Sequence, residues 1–363
     1  MTAGDPAMGF GVYLHVPFCA SKCEYCAFAT WTDRHHLIER YMAGVEVDLA
    51  RWVEAGMEPA TSVFVGGGTP SLVDPADLGR VLSAVPLAAG AEVTVECNPD
   101  DVTAEMMRIY ADAGVTRLSL GVQSMVDHVL AALGRQHRRD NVARAVDHIR
   151  ASAIDQLNLD LIYGAVTESV DDWDDTIRSV LAMEPDHISA YALTVEAGTP
   201  LARTPGRHPD DDDQAAKYEL ADAAFGSAGL VNYEISNWSR PGAQCRHNRL
   251  YWAQGDYIGI GCAAHSHRRG RRWWNLRTPE RYLDAIETGS SVEAGAEELD
   301  AETIRLEGLQ LALRMREGVG VDAFDDDSAA TLAEAGLIER CDDRWVLSLR
   351  GRLMANSVAM YLR

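Results

Sequence analysis

The chain has 363 residues, 47% hydrophobic and 24% charged, the composition of a folded globular protein with room for one large unit and a smaller one. Its formal net charge of −22 argues against non-specific binding to nucleic acid or to anionic lipid. No apolar run is long enough to span a bilayer, and residues 1–11 lack the basic-then-apolar order of an export signal. Seven cysteines, three of them clustered, fit a reducing cytoplasm better than a disulfide framework.

Val12 to Val16 reads as a first strand, and Cys19, Cys23 and Cys26 follow it at C-x3-C-x2-C spacing. Seven cysteines in 363 positions produce that spacing by accident in roughly three chains per thousand, so chance is a poor rival to function. Three soft thiolates on one loop suit an iron–sulfur cluster, and three ligands leave one iron of a four-iron cube open to a small molecule. Cys97, Cys245, Cys262 and Cys341 are scattered and read as small core residues. A helix is expected over 35–56, with Leu37, Ile38, Tyr41, Val45, Leu49 and Trp52 on one face. Thr61 to Val65 is a second strand running into Gly66-Gly67-Gly68-Thr69-Pro70, and Asp74-Pro75 opens the next helix. Ala91 to Val95, Arg117 to Leu120, Gln156 to Ile162 and His187 to Leu193 are four further strands, with a helix over 103–113 closed by Gly114.

Strands alternating with helices imply an α/β fold with a parallel sheet, whose ligands gather at the carboxyl ends of the strands. Six repeats suggest an open, partial barrel, although a doubly wound sheet has the same rhythm. Polar residues cluster at those strand ends: the glycine run, Glu96, Gln123, Asp160 and, just beyond, Arg135. Together they read as the contacts of a polar small molecule, with carboxylates for an amine or a ribose and an arginine for a carboxylate. The acidic run Asp210 to Asp213 reads as a solvated loop before a helix over 214–228. Residues 299–363 form a separate pattern: helices over 301–317 and 328–335, a hairpin turning at Asp342-Asp343, and a last helix over 350–362. Helices followed by a two-stranded wing suggest a winged-helix shape, without the basic face of a DNA reader.

The segment Tyr13-x-His15-x-Pro17-Phe18-Cys19-x3-Cys23-x-Tyr25-Cys26, followed by the glycine run, resembles the radical S-adenosylmethionine (SAM) superfamily. Gly121 to Ser124, Leu133 to Arg135, Asn158 to Gly164 and His187 to Leu193 extend the likeness to the branch that holds coproporphyrinogen dehydrogenase HemN and the heme chaperone HemW. That resemblance implies a partial (β/α)6 barrel over 1–230, a connecting segment over 231–298, and a C-terminal winged-helix-like domain over 299–363. It implies a [4Fe–4S] cluster on Cys19, Cys23 and Cys26, and SAM held by Gly67, Gly68, Thr69, Glu96, Gln123, Arg135, Asp160 and Ala192, with Tyr13 and Tyr25 packed beside it.

Phe28 stands where HemN has a fourth cysteine, and Cys19 lies near the start of the chain, where HemN carries a longer arm. Both features tilt the resemblance toward HemW. So does His247-Asn248-Arg249-Leu250-Tyr251-Trp252, an HNxxYW segment associated with heme, which makes His247 the candidate heme ligand ahead of His265 and His267. The implied function is a cytoplasmic heme chaperone that passes heme to client hemoproteins, meeting membranes only peripherally through those clients. Reductive SAM cleavage to methionine and a 5′-deoxyadenosyl radical belongs to the same resemblance. Anaerobic coproporphyrinogen dehydrogenation and SAM-dependent radical methyl transfer are the alternatives. Two loops depart from the pattern. Ala165-Val166-Thr167-Glu168 replaces a segment with proline and glycine, and Cys262-Ala263-Ala264 replaces Pro-Gly-Ala. Both are expected to take altered backbone paths.

Overall fold

The computed structural model describes residues 9–363, so the reading of residues 1–8 as free of an export signal lies outside the described residues. Strands β1 (Phe10–Val16), β2 (Ala60–Gly67), β3 (Leu87–Cys97), β4 (Arg117–Gln123), β5 (Gln156–Tyr163) and β6 (His187–Ala192) lie side by side in chain order, all parallel. The crossovers carry α1 (Ile38–Glu54), α2 (Pro75–Ala84), α3 (Ala104–Asp112), α4 (Asp127–Ala132), α5 (Arg139–Arg150) and α6 (Val170–Leu181). A doubly wound sheet would reverse its strand order midway, and this one does not. With right-handed crossovers throughout, an unreversed order puts every helix on one face and leaves the other face free. That is a partial barrel, and the doubly wound alternative is excluded.

The barrel stays open because other strands occupy both edges. After α7 (Asp211–Ser227), β7 (Val231–Glu234) and β8 (Asn237–Ser239) extend the sheet antiparallel beyond β6. After α8 (Arg246–Trp252), β9 (Asp256–Ile260) pairs parallel with β1. Antiparallel β10 (His265–Arg268), β11 (Arg271–Asn275) and, past α9 (Pro279–Glu287), β12 (Glu293–Glu298) complete twelve strands. The 231–298 stretch therefore supplies six strands to the same sheet.

Side-chain alternation along the strands separates the two faces. Val12, Leu14, Val63, Val65, Val93, Leu118, Leu120, Leu157, Leu159 and Ile188 are buried in the main core, toward the helices. Each such burial contributes roughly 1.5–3 kcal/mol. The alternate positions are largely polar. One rung across the concave face reads Glu96, Ser119, Asn158, His187, and the next reads Gly121, Asp160, Ser189. A polar concave face is what a binding cavity needs and what a packed barrel core would not tolerate.

Local chemistry accounts for several boundaries. Asp74 caps α2, its side chain accepting from Ala76 N at 2.8 Å, with Pro75 in the first turn. The acidic run is not a loop. Asp210 is the N-cap of α7, accepting from Asp213 N at 2.9 Å, and Asp211 to Asp213 form its first turn, where the helix dipole favours negative charge.

The C-terminal unit has its own core, including Leu313, Val319, Phe324, Leu332, Ile338 and Val358. It comprises α10 (Ala301–Ala312), β13 (Val319–Gly320), α11 (Asp326–Glu334), β14 (Ile338–Cys341), β15 (Arg344–Leu347), α12 (Leu349–Leu353) and α13 (Ala355–Ala359). The first helix stops five residues short of the expected Glu317, and the last is two short helices meeting at Met354. Arg352 bridges the unit to α7 through Asp222 at 2.9 and 3.0 Å. Among the described residues no helix is long and apolar enough to cross a membrane.

Candidate functional site

The cysteine loop leaves β1 and is folded back onto the sheet. Cys19 N donates to Trp31 O at 3.1 Å and Trp31 N to Pro17 O at 2.8 Å, which closes the loop on itself. The glycine run makes this docking feasible. Gly68 N donates to Val16 O and Thr69 N to Phe18 O, both at 2.7 Å. A Cβ on Gly68 would sit 2.5 Å from the Phe18 carbonyl oxygen, and one on Gly67 (φ +112°) would strike the His15 ring. The amides of Gly67, Gly68 and Thr69 are therefore engaged within the protein. Gly67 N donates to Glu96 at 3.3 Å.

Cys19, Cys23 and Cys26 are half-buried free thiols. Burial raises the pKa of Cys19 and of Cys26, and each feels the charge of its neighbours, which places the three within range of one another. Hydrogen bonds from Thr69 and Thr30 oppose that rise at Cys19. Among the described residues no three His, Cys, Asp or Glu groups are gathered tightly enough to hold a single ion. A four-iron cube asks for something wider, since each thiolate binds a different iron. Three thiols on one loop, with Thr30 and Thr69 beside Cys19 and Arg135 beside Cys23, fit that group. Phe28 is 68% exposed and offers no fourth ligand. Of the scattered cysteines, Cys97, Cys245 and Cys262 are buried as expected, whereas Cys341 is exposed on β14.

Eight of the ten residues implied for SAM lie at the carboxyl ends of the strands or on the loops just past them, whereas Tyr13 and Asp160 sit within β1 and β5. All ten are half-buried, neither sealed in the core nor free in solvent. Arg135 Nη1 donates to Cys23 Sγ at 3.6 Å, and its Nη2 reaches Asn98 Oδ1 at 2.8 Å and Gly121 O at 3.3 Å. Burial opposes its charge, but Tyr25 and Cys23 raise its pKa. Burial next to Cys23 also raises the Tyr25 phenol. Tyr13 OH bonds His15 Nδ1 at 3.0 Å, and His15 Nε2 bonds Ala29 O of the cysteine loop at 3.0 Å. Gln123 holds a left-handed φ of +63°, a strain of the kind that accumulates at functional sites.

Two carboxylates face this mouth. Burial, aided by the charge of Asp160, pushes Glu96 up to about 8. Burial also raises Asp160, against hydrogen bonds from Ser119, Ser189 and Asn158. Ser119 Oγ donates to Asp160 at 2.7 Å and Asn158 Nδ2 at 2.8 Å, while Asn158 Oδ1 meets His187 Nδ1 at 2.6 Å. This supporting network was not foreseen, although its period-two spacing (117, 119, 121; 158, 160; 187, 189, 191) is written in the strands. A cationic ligand entering here meets two acceptors whose ionisation it would itself favour.

His247 lies enclosed within the protein. Its ring is fully buried, with Nδ1 bonded to Ser62 Oγ at 3.0 Å and Nε2 to Tyr251 OH at 2.8 Å, and it stacks on Phe64. Burial drives its pKa down to about 3. Glu92 holds the backbone of this segment, accepting from Arg246 N at 2.9 Å and His247 N at 3.3 Å. The HNxxYW segment braces the amino-terminal end of the barrel, away from the cysteine loop. His267 is likewise buried, its Nδ1 bonded to Gly255 O at 3.0 Å.

The departing loops have physical anchors. Glu168 accepts from Gly164 N at 2.7 Å and pairs with the fully buried Lys217 at 3.3 Å. Ala263 adopts φ +57°, the left-handed conformation natural to the glycine it replaces, so this loop keeps a glycine-like path instead of the altered one expected.

A protein-family model described as the radical SAM superfamily matches residues 13–180. A Mycobacterium tuberculosis (strain H37Rv) protein named "Heme chaperone HemW" is 40% identical over 380 residues, covering 98% of this chain and 95% of the relative. The protein of that name from Escherichia coli (strain K12) is 33% identical, covering 96% of each chain. The solved structure of coproporphyrinogen III oxidase (HemN) from Escherichia coli, a radical SAM enzyme, superposes with a TM-score of 0.84 over 97% of this chain and 89% of that one. At 18% identity that likeness shows a common fold.

Proposed function

Because the chain belongs to the HemW family of the radical SAM superfamily, we propose that it is a heme chaperone that carries a [4Fe–4S] cluster, binds SAM beside it, and hands heme to client hemoproteins. The observation that carries the reading is convergence. The cysteine loop, the glycine run, Glu96, Gln123, Arg135 and Asp160 come from separate β/α repeats and share one half-buried mouth.

Cys19, Cys23 and Cys26 would hold three irons and leave the fourth for SAM. When bound, the cluster supplies one-electron reduction of the SAM sulfonium. The chain's own residues do the rest. Glu96 and Asp160 accept from the cationic and hydroxyl groups of the cofactor, and Asn158 and Ser119 fix the Asp160 carboxylate. Arg135 ties Cys23 to the ends of β3 and β4, so the metal ligand and the cofactor pocket keep one geometry. Tyr13 and Tyr25 supply apolar walls.

Anaerobic reconstitution with iron and sulfide, followed by SAM and then heme, tests the reading. A [4Fe–4S] EPR signal altered by SAM, a red-shifted Soret band on heme addition, and transfer of that heme to an apo-hemoprotein are the expected results. Protoporphyrinogen formed from coproporphyrinogen under the same conditions would replace the chaperone reading with the dehydrogenase one.

A further inference from the structure

The heme that this reading requires has no ligand at His247, and the remaining histidines narrow the search. Eight of the chain's eleven imidazoles are hydrogen-bonded, leaving His36, His148 and His265 without such a bond among the described residues. Of these three, only His265 has its ring against an aromatic side chain, stacked on Trp274 with centroids 6.0 Å apart and planes at 30°.

The placement of this pair follows from strand alternation. His265 and Trp274 are cross-strand partners on β10 and β11. Trp273, the residue before, stacks on Trp52 of α1 and so faces the helical layer. Trp274 and His265 must then face the other way, onto the concave side that continues from the SAM mouth across β1 and β9. His15, at the root of the cysteine loop, feels the charge of His265, so the two regions are neighbours. Glycine keeps the ground beside the pair flat. A Cβ on Gly295 would lie 2.7 Å from the Trp274 indole, and Gly259 packs against the His265 backbone. His265 itself is exposed.

We propose that His265 is the axial ligand of heme iron in this protein, with Trp274 a positioning residue that fixes the plane of its imidazole. This rests on the heme-binding reading given above and relocates the site from the HNxxYW segment to the concave face of β10 and β11. An open imidazole next to a flat, glycine-floored, aromatic surface suits a planar apolar macrocycle that must arrive and leave. A fully buried imidazole with both nitrogens occupied does not.

The test is a titration of ferric heme into the full chain, wild type and variants, followed by Soret absorption and EPR. His265→Ala should abolish the wild-type Soret shift or weaken heme binding at least tenfold. His265→Met should keep binding with a different band and spin state, and Trp274→Leu should broaden or weaken the histidine signature. His36→Ala and His148→Ala should match wild type. Reconstitution of the [4Fe–4S] absorbance in each variant shows that it has folded. If His265→Ala and His265→Met give the wild-type heme spectrum, the inference is overturned while the chaperone reading survives. If wild type itself gives no shift, the heme reading fails and takes the inference with it.

Discussion

Glu96 should make SAM binding depend on pH, in a direction fixed by where the carboxyl sits. Burial and the charge of Asp160 raise its pKa to about 8 in the free protein, so at pH 7 roughly nine molecules in ten carry it protonated. SAM carries a net positive charge, and its arrival favours the carboxylate. Binding is therefore linked to proton loss, and affinity rises with pH until the free carboxyl is already ionised. With a free value near 8 and a carboxylate that stays ionised in the complex across this range, the affinity gain from pH 6 to pH 7 is about ninefold, or about 1.3 kcal/mol. The cofactor's own α-amino group titrates at about 7.7–8.0 in solution, so a proton that the amine gives up on reaching iron appears equally in wild type and in a Glu96→Gln variant. Calorimetry in buffers of different ionisation heat should show wild type releasing about 0.9 proton more per SAM bound at pH 7 than Glu96→Gln does. Glu96→Gln should remove that extra proton and its share of the slope, and weaken binding at pH 7 by about tenfold through loss of the charge-assisted contact. A wild-type proton release and pH slope equal to those of Glu96→Gln would refute the reasoning.

Single replacement of Cys19, Cys23 or Cys26 by alanine should abolish the reconstituted [4Fe–4S] absorbance, whereas replacing Cys97, Cys245, Cys262 or Cys341 should leave it intact. Gly68→Ala, which places a methyl 2.5 Å from the Phe18 carbonyl oxygen, should lower iron and sulfide content while circular dichroism stays near wild type. Lys217→Met leaves the buried Glu168 carboxylate without its cation, and should cost about 3–5 kcal/mol in denaturant-induced unfolding. Ala263→Gly relieves a left-handed φ of +57° and should stabilise the fold by about 1 kcal/mol by the same measurement.

The thiol loop, the α/β rhythm and the strand-end polar residues were legible because they are local. Thiol spacing, turn glycines, helix caps and strand alternation are read within a dozen residues. The supporting Ser119, Asn158 and His187 network was equally present as a period-two pattern, but polar alternation acquires meaning only once one knows which face is concave. The edge strands β7 to β12 were missed because each spans only three to six residues, and although β7 pairs with β8 and β10 with β11 locally, β8 and β9 join the barrel through β6 and β1, far away in the chain.

The sequence by itself determined the thiolate loop, the parallel repeats and the chemistry collected at their ends, since spacing and residue type suffice for these. Tertiary structure alone decided that the strand order never reverses and that both barrel edges are occupied. It also decided which histidine stands open. His247 and His265 differ little as letters in a chain. One is enclosed by Ser62, Tyr251 and Phe64, and the other lies open against Trp274 on the concave side. Burial and hydrogen-bond occupancy are properties of what folds around a residue, and they decide whether an imidazole is available to iron.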